Sequence, residues 1–140
     1  MTSEEERNVA IMKAIYAQWS GSKGTETVQV MDQLCDDVHW CSLGAGGPNQ
    51  AFSAACIGKR EVPGYFDKLA EEWQMLGYDA EQYVAQGDCV VMLGMCHWKH
   101  RGTGKEVHSP KADVIHFRDG KIAHFMEYYD TAQAIAATQP

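Results

Sequence analysis

The sequence predicts an α+β domain in which helices cover one face of a curved antiparallel sheet. Three observations support this class: an amphipathic segment near the N-terminus, a second one from Val62 to Leu76, and a succession of four strand-like runs after it. With 140 residues, of which 45% are hydrophobic, the chain fits one globular domain over residues 1–140. A domain of this size has a core large enough to fold unaided.

The N-terminal segment is predicted to form two helices. Ser3 and Glu6 have the spacing of a capping box, and apolar residues then recur every three or four positions as far as Gly21. A short second helix is expected between Val28 and Leu34, ended by Asp36-Asp37.

A strand, a long loop and a third helix are expected next. The strand covers residues 38–43, and the glycine-rich segment 44–58 follows it. Loops of this length often act as lids, so a mobile functional loop is predicted there. The third helix carries one continuous apolar stripe from Val62 to Leu76.

Four strands are expected after this helix. The first two are Tyr78–Gln86 and Cys89–His100, joined by a turn at Gly87-Asp88. The last two form a hairpin around Asp119-Gly120, a pair that supplies the positive φ of a tight reversal.

Ionisable residues lie on the face of this hairpin that should point inward. The period of two groups Lys111, Asp113, Ile115 and Phe117 on one strand, and Ala123, Phe125, Glu127 and Tyr129 on the other. The turn decides which residues meet. A two-residue loop sets His124 and Met126 beside Asp113, whereas a three-residue loop with a glycine bulge sets Phe125 and Glu127 there.

Composition and charge narrow the class of partner. The formal net charge is −7 with scattered Lys and Arg, which argues against nucleic acid and against an anionic membrane. No apolar run suggests a signal peptide or a membrane span, and five cysteines without CxxC spacing predict reduced thiols, so we expect a cytoplasmic protein. His97 and His100 should point to opposite faces of one strand, so no metal site is expected, and no nucleotide motif suggests a cofactor.

Several short motifs occur in the order of the predicted elements. They are DDVHW, GKREVPGYFDKL, TGK, and FRDGKI followed by EYYDTA. Together they resemble the SnoaL-like polyketide cyclase and ketosteroid isomerase-like families of the nuclear transport factor 2-like (NTF2-like) superfamily, over nearly the whole chain. The resemblance implies a cone-shaped, cystatin-like fold whose curved antiparallel sheet wraps around helices and encloses a single apolar pocket, often in a dimer.

Ketosteroid isomerases match this chain in part. Tyr16 stands near the position of their oxyanion-hole tyrosine. Ser42 and Ile115 stand where that family has its two aspartates, so the resemblance does not extend to the aspartate pair.

Limonene-type epoxide hydrolases are also similar. Glu127 matches their final catalytic aspartate, and Phe125 takes a tryptophan position. Gly94 and Cys96 replace the Arg and Asp of their third strand, while Trp40 and Ser42 replace the water-holding Tyr and Asn.

Both resemblances agree on which side chains of the predicted strands point inward. The expected pocket lining is Trp40, Ser42, Cys96, Trp98, Ser109, Ile115 and Phe125, with Phe66 from the third helix. We assign Asp113 as general base, Glu127 as its partner or acid, and Lys111 or Tyr16 as the stabiliser of negative charge on a carbonyl oxygen. The alternative is a solvated ion pair of Lys111 and Glu127 at the sheet edge, worth about 0–1 kcal/mol.

Three functions fit this sequence. The first is a cofactor-independent enzyme that transfers protons on a small hydrophobic carbonyl, polyketide-, steroid- or terpenoid-like molecule, as an isomerase, cyclase, dehydratase or hydrolase. The second is a non-catalytic protein that binds such a molecule, and the third is a dimeric interaction module with a vestigial pocket. A homodimer is expected because the helices cannot cover the outward face of one strand, whose side chains form an apolar row. This row consists of Val91, Leu93, Met95 and His97.

Overall fold

The computed structural model describes residues 1–140 and contains four helices and six strands. The helices are α1 (Ser3–Gly21), α2 (Val28–Asp32), α3 (Val62–Glu72) and α4 (Thr131–Ala137). The strands are β1 (Leu34–Ser42), β2 (Cys56–Ile57), β3 (Trp73–Gln86), β4 (Cys89–His100), β5 (Glu106–Arg118) and β6 (Lys121–Tyr128). The predicted α+β class is confirmed.

All six strands belong to one sheet, in the order β2-β1-β6-β5-β4-β3. Neighbouring strands are antiparallel except β1 and β6, which run parallel. The hairpin of β5 and β6 therefore lies in the middle of the sheet. Side chains on the inner face of this hairpin are flanked by side chains of β1 on one side and of β4 on the other, which favours their burial.

Helix α1 is capped one residue earlier than the sequence predicts. Thr2 accepts a hydrogen bond from the backbone N–H of Glu5, and the Glu5 carboxylate accepts one from the N–H of Thr2 at 2.7 Å. The predicted pair of Ser3 and Glu6 has the same spacing. Glu5 is favoured because its other oxygen also accepts the N–H of Gly87, in the β3–β4 turn, at 2.8 Å.

Two helix ends differ from the prediction because strand pairing overrides a helical pattern. Leu34 begins β1 and pairs with Ile122, so the second helix ends at Asp32 and Asp36-Asp37 lies within the strand. The apolar stripe of α3 likewise continues into β3, where Trp73 pairs with His100 on β4. A short apolar run does not distinguish a helix end from a strand start.

The segment 44–58 contains more secondary structure than the predicted loop. It contains a 3-10 turn at Ala51–Ser53 and strand β2, and Gln50 and Ser53 are fully buried. Helix α4 is not predicted from the sequence. Asp130 is its N-cap, and the Asp130 side chain accepts a hydrogen bond from the N–H of Gln133. None of the helices combines the length and hydrophobicity needed to cross a lipid bilayer.

The hairpin combines parts of both predicted turns. Asp119 and Gly120 have φ of 52° and 78°, so the loop has two residues and resembles a type I′ turn. The register then shifts by one residue between Phe117 and His116, which leaves Ala123 as a β-bulge. The bulge, placed beyond the turn, moves Glu127 opposite Asp113.

The bulge also changes which residue of β6 faces inward. The period of two predicts Ala123 on the inner face, but Ile122 is fully buried there and Ala123 is half-buried. Beyond the bulge the alternation resumes, and Phe125 and Glu127 are buried as predicted.

Candidate active site

A lysine between two carboxylates forms the centre of the site. Lys111 Nζ lies 2.8 Å from Asp113 Oδ1 and 2.9 Å from Glu127 Oε2. The three side chains are 9%, 1% and 5% exposed. The alternative of a solvated ion pair at the sheet edge is therefore wrong: this pair is buried in the middle of the sheet.

Hydroxyl groups satisfy the remaining carboxylate oxygens. Tyr16 and Tyr78 donate to Asp113 Oδ2 at 2.5 and 3.3 Å. Tyr65 donates to Glu127 Oε1 at 2.9 Å, and the Ser42 hydroxyl donates to the same oxygen. Each carboxylate thus accepts three hydrogen bonds, one of them from Lys111.

Sheet register and two helices bring these groups together. Asp113 pairs with Glu127 across β5 and β6, and Ser42 pairs with Glu127 across β1 and β6. Helix α1 supplies Tyr16, and α3 supplies Tyr65. Five separate elements therefore converge on one charged cluster, and Tyr78 of β3 adds a sixth.

Burial and the cluster's own charges set its protonation. Burial raises the pKa of Asp113, while the Lys111 ammonium opposes that shift. Burial alone would lower the pKa of Lys111, but the facing carboxylates of Asp113 and Glu127 outweigh it and hold its pKa well above the usual range. Lys111 is consequently a cation at neutral pH, and Asp113 is the carboxyl whose burial favours proton uptake.

The tyrosines are held protonated. Burial, followed by the negative charge of Asp113, raises the pKa of Tyr16 and Tyr78 well above 10, and burial followed by Glu127 does the same for Tyr65. They therefore act as hydrogen-bond donors to the carboxylates.

The apolar pocket that the resemblance implies has two connected hollows, one on each side of the cluster. The first, called the α4 hollow, encloses about 530 Å³ of empty space including its mouth and borders Trp73, Trp98, Ser109 and Ala134. The second, the α1 hollow, encloses about 500 Å³ and borders Tyr16, Trp40, Phe66, Asp113 and Phe125. Both hollows border Trp19, Tyr65, Tyr78, Lys111 and Glu127. The charged cluster and its tyrosines divide the interior.

The predicted lining residues divide between these hollows. Trp40, Phe66 and Phe125 border the α1 hollow, and the Trp40 and Phe125 rings stack with centroids 3.8 Å apart. Cys96 and Trp98 border the α4 hollow.

Two predicted lining residues have other positions. Ser42 borders neither hollow and instead bonds Glu127. Ile115 is fully buried and belongs to the hydrophobic core, because β4 and β6 flank it.

Sequence reasoning did not identify Tyr65 and Tyr78 as site residues. Tyr65 reads as core because it lies in the apolar stripe of α3, and Tyr78 lies at a predicted strand start. Their role as hydrogen-bond donors became apparent only from the structure, which sets the two hydroxyl groups beside the buried carboxylates of Glu127 and Asp113. The indole N–H groups of Trp40 and Trp73 are a second feature that the sequence does not show, since both are buried without a hydrogen-bond partner.

Gly94 and Cys96 limit the chemistry on β4. A Cβ at Gly94 would lie 2.0 Å from the carbonyl oxygen of Asp79, so no larger residue fits there without moving β3. An arginine at that position, as in epoxide hydrolases, is therefore incompatible with this backbone. Burial raises the pKa of Cys96 to about 11, which keeps its thiol protonated and makes it a poor nucleophile.

Comparisons with known proteins agree with this architecture. The sequence profile of the SnoaL-like domain matches residues 12–125. No functionally curated protein matches the chain.

Solved structures with the same fold cover almost the whole chain. An NTF2-like protein from Burkholderia thailandensis is 25% identical, with a TM-score of 0.81 over 95% of this chain and 98% of its own. A candidate polyketide cyclase from Xanthomonas campestris is 18% identical, with a TM-score of 0.76 over 98% and 100%. A protein with a ketosteroid isomerase-like fold from Catenulispora acidiphila, solved with trimethylamine, is 16% identical, with a TM-score of 0.71 over 91% of each chain. The last two likenesses concern the fold alone.

Proposed function

Because the chain belongs to the SnoaL-like domain family, we propose that it is a cofactor-independent acid–base enzyme of the isomerase or cyclase type. Its substrate is a small hydrophobic carbonyl compound, of polyketide, steroid or terpenoid character. The observation that carries this proposal is the buried Lys111 between Asp113 and Glu127. Titratable groups with perturbed pKa values beside an apolar hollow are typical of catalytic sites.

Asp113 is the general base of the proposed reaction. Burial raises its pKa toward the neutral range in which a base works best, and it borders the α1 hollow. The proton moves from the carbon beside the carbonyl to the Asp113 carboxylate, and the C–H electron pair forms an enolate. In an isomerisation the Asp113 carboxyl then returns the proton to a different carbon of the enolate. In a cyclisation the enolate carbon attacks a second carbonyl group, and the Asp113 carboxyl gives its proton to the alkoxide oxygen that this attack creates.

Lys111 stabilises the negative charge on the enolate oxygen. Its ammonium is a fixed cation in a site of low dielectric, where such stabilisation is strong. Glu127 keeps Lys111 in place and is itself held by Ser42 and Tyr65. Tyr16 supports the base by donating to Asp113.

The α1 hollow suits an apolar substrate that carries a hydrogen-bond acceptor. Its walls include the aromatic rings of Phe66 and Phe125 and the indole of Trp40. The Trp40 N–H is buried without a partner, and leaving such a donor unsatisfied costs about 1–3 kcal/mol. The Trp40 N–H is closed off from solvent, so the donor available to a substrate oxygen in this hollow is the Lys111 ammonium.

A non-catalytic binding protein is the second candidate. One observation favours it: both carboxylates already accept three hydrogen bonds each, so a substrate must displace a donor before Asp113 can act. In that case the cluster would serve only to shape and close the pocket.

Proton exchange in D2O separates the two candidates. The wild-type protein should catalyse deuterium incorporation beside the carbonyl of a cyclic enone or an aromatic 1,3-diketone, followed by NMR. Asp113→Asn should lower that rate by about 10²–10⁴-fold, the range of general-base catalysis. Asp67→Asn, at an exposed position of α3, is the matched control and should keep the wild-type rate.

Binding measured on the same variants completes the test. A ligand that still stabilises Asp113→Asn against thermal unfolding, while exchange is lost, supports the enzyme. Unchanged exchange in both Asp113→Asn and Glu127→Gln contradicts the acid–base assignment. Binding by the wild-type protein without any exchange indicates the pocket protein instead.

We further propose a homodimer that covers the outer face of the sheet around Leu93 and leaves His97 and His108, nearer the other end of the strands, outside the interface. Val91 and Met95 are half-buried there, and Leu93 and Val84 remain 37% and 48% exposed. A twofold dimer is the common way to bury an apolar sheet face of this kind.

A reducing compartment such as the cytoplasm is part of the same proposal. All five cysteines are unpaired, and three of them are buried as small apolar residues. Free, buried thiols are usual in proteins of reducing compartments.

A further inference from the structure

Two histidines and a glutamate meet on the outer face of the sheet, away from both hollows. His97 on β4 pairs directly with His108 on β5, and Glu106 lies two residues before His108 on the same face. His97 and His100 lie on opposite faces of β4, which is why the sequence predicts no metal site along that strand. The neighbour that matters lies across the sheet.

The backbone brings the two imidazoles close together. Both the N–H and the C=O of His108 bond to the side chain of Gln133 in α4, so neither group bonds to β4. His97 and His108 are therefore a non-hydrogen-bonded pair, the kind in which side chains approach most closely. Their rings stack with centroids 3.6 Å apart.

The carboxylate completes a set of three ligands. The Nε2 atom of His97 lies 2.5 Å from Glu106 Oε1. One ligand atom from each of His97, Glu106 and His108 lies within 4.8 Å of the other two. Tetrahedral zinc with nitrogen and oxygen ligands needs separations of roughly 3.3 Å. Rotamer changes of exposed side chains can close that difference, and the side chains of His97 and Glu106 are 28% and 51% exposed.

From this arrangement we propose that His97, His108 and Glu106 bind a divalent transition metal ion, with zinc as the reference ion. Imidazole nitrogens suit zinc, nickel and copper, whereas a site of oxygen ligands alone would suit magnesium or calcium, so two imidazoles beside one carboxylate favour a transition metal. Three protein ligands leave the fourth position of a tetrahedral ion to water. Lys99 lies opposite Glu106 across the two strands and adds one positive charge near the site.

Calorimetric titration of the metal-free protein with zinc chloride tests the proposal. We expect one ion per chain. His97→Ala and His108→Ala should each weaken zinc affinity by at least about 10-fold, because losing even a residue that only hydrogen-bonds to a metal ligand typically costs about 10- to 100-fold in affinity. Glu106→Gln should weaken it as well. Circular dichroism should show an unchanged fold, since Glu106 and His108 are exposed and His97 is partly exposed.

His116→Ala is the matched control. His116 lies on the same face of β5, is exposed, and also pairs with a histidine, His124. Its ring is edge-on to that of His124, with centroids 6.0 Å apart, and its Nδ1 lies 3.6 Å from Asp88. Zinc binding that His116→Ala weakens as much as His108→Ala, or binding that survives in the double variant of His97 and His108, would overturn the proposal. Failure to bind zinc at all would do so too, without bearing on the acid–base site.

Discussion

Removing the charge of Lys111 tests the electrostatic reasoning about the site most directly. In Lys111→Met, the buried carboxylates of Asp113 and Glu127 face each other without the ammonium that lies 2.8 and 2.9 Å from them. Loss of one partner of a buried ion pair costs about 3–5 kcal/mol, because it leaves an uncompensated charge in a medium of low dielectric. That is a large part of the roughly 5–15 kcal/mol that stabilises a typical domain.

The loss should depend on pH with a definite sign. Lys111 has a folded-state pKa above its unfolded value, so its contribution is fully present below about 10.5 and is lost only at higher pH. Burial raises the folded pKa of Asp113, and removing the ammonium raises it further. The variant therefore takes up a proton on folding, and its deficit relative to wild type should shrink as the pH falls from 7 toward 4.

Urea unfolding at pH 7 and at pH 4 measures both effects. With a slope of about 1–3 kcal/mol per molar urea, the midpoint at pH 7 should fall by at least about 1 M. Lys68→Met, at an exposed position of α3, is the control and should change stability by less than about 0.5 kcal/mol. The double variant Lys111→Met/Glu127→Gln should recover part of the loss, because one of the two facing charges is gone. An equal deficit at both pH values, or none, would refute the reasoning.

Three further predictions concern the base, the thiols and the assembly. Tyr16→Phe removes a hydrogen-bond donor to the charged form of Asp113, which raises the pKa of Asp113. The acidic limb of the pH–rate profile should therefore move to higher pH. An unmoved limb would show that Asp113 is not the titrating base. Iodoacetamide at pH 8 should alkylate Cys96 far more slowly than the partly exposed Cys89 of the same strand, as followed by mass spectrometry. A pKa of about 11 leaves only about one Cys96 thiol in a thousand ionised at that pH. Equal rates would contradict the burial of Cys96. Leu93→Asp should convert a dimer of twice 15.6 kDa to monomers in light scattering, and a variant that stays dimeric would place the interface elsewhere.

Much of the site could be predicted because strand alternation is a local property. Lys111 and Asp113 are two residues apart and share a face whatever the sheet around them does. The pair Asp119-Gly120 marks the turn by its tolerance of positive φ. Strand parity therefore grouped Lys111 with Asp113 before any fold was known, and the family resemblance added Glu127.

The tyrosines that donate to the carboxylates are different, because their contacts cross long stretches of chain. Tyr16 bonds a residue 97 positions away, and Tyr65 bonds one 62 positions away. Helical periodicity assigns both to a buried face but does not show what that face meets. Their roles depend on how α1 and α3 pack on the sheet.

By itself, the sequence determined the α+β class, the hairpin, and the shared face of Lys111 and Asp113, because these follow from periodicity and turn chemistry within a few residues. Only the tertiary structure decided the bulge at Ala123, which sets Glu127 opposite Asp113, and the pairing of His97 with His108. The free energy of the whole sheet selects the register. Turn residues alone are compatible with more than one register, but a shift by one residue moves every side chain of a strand to the other face and so changes which of them are buried.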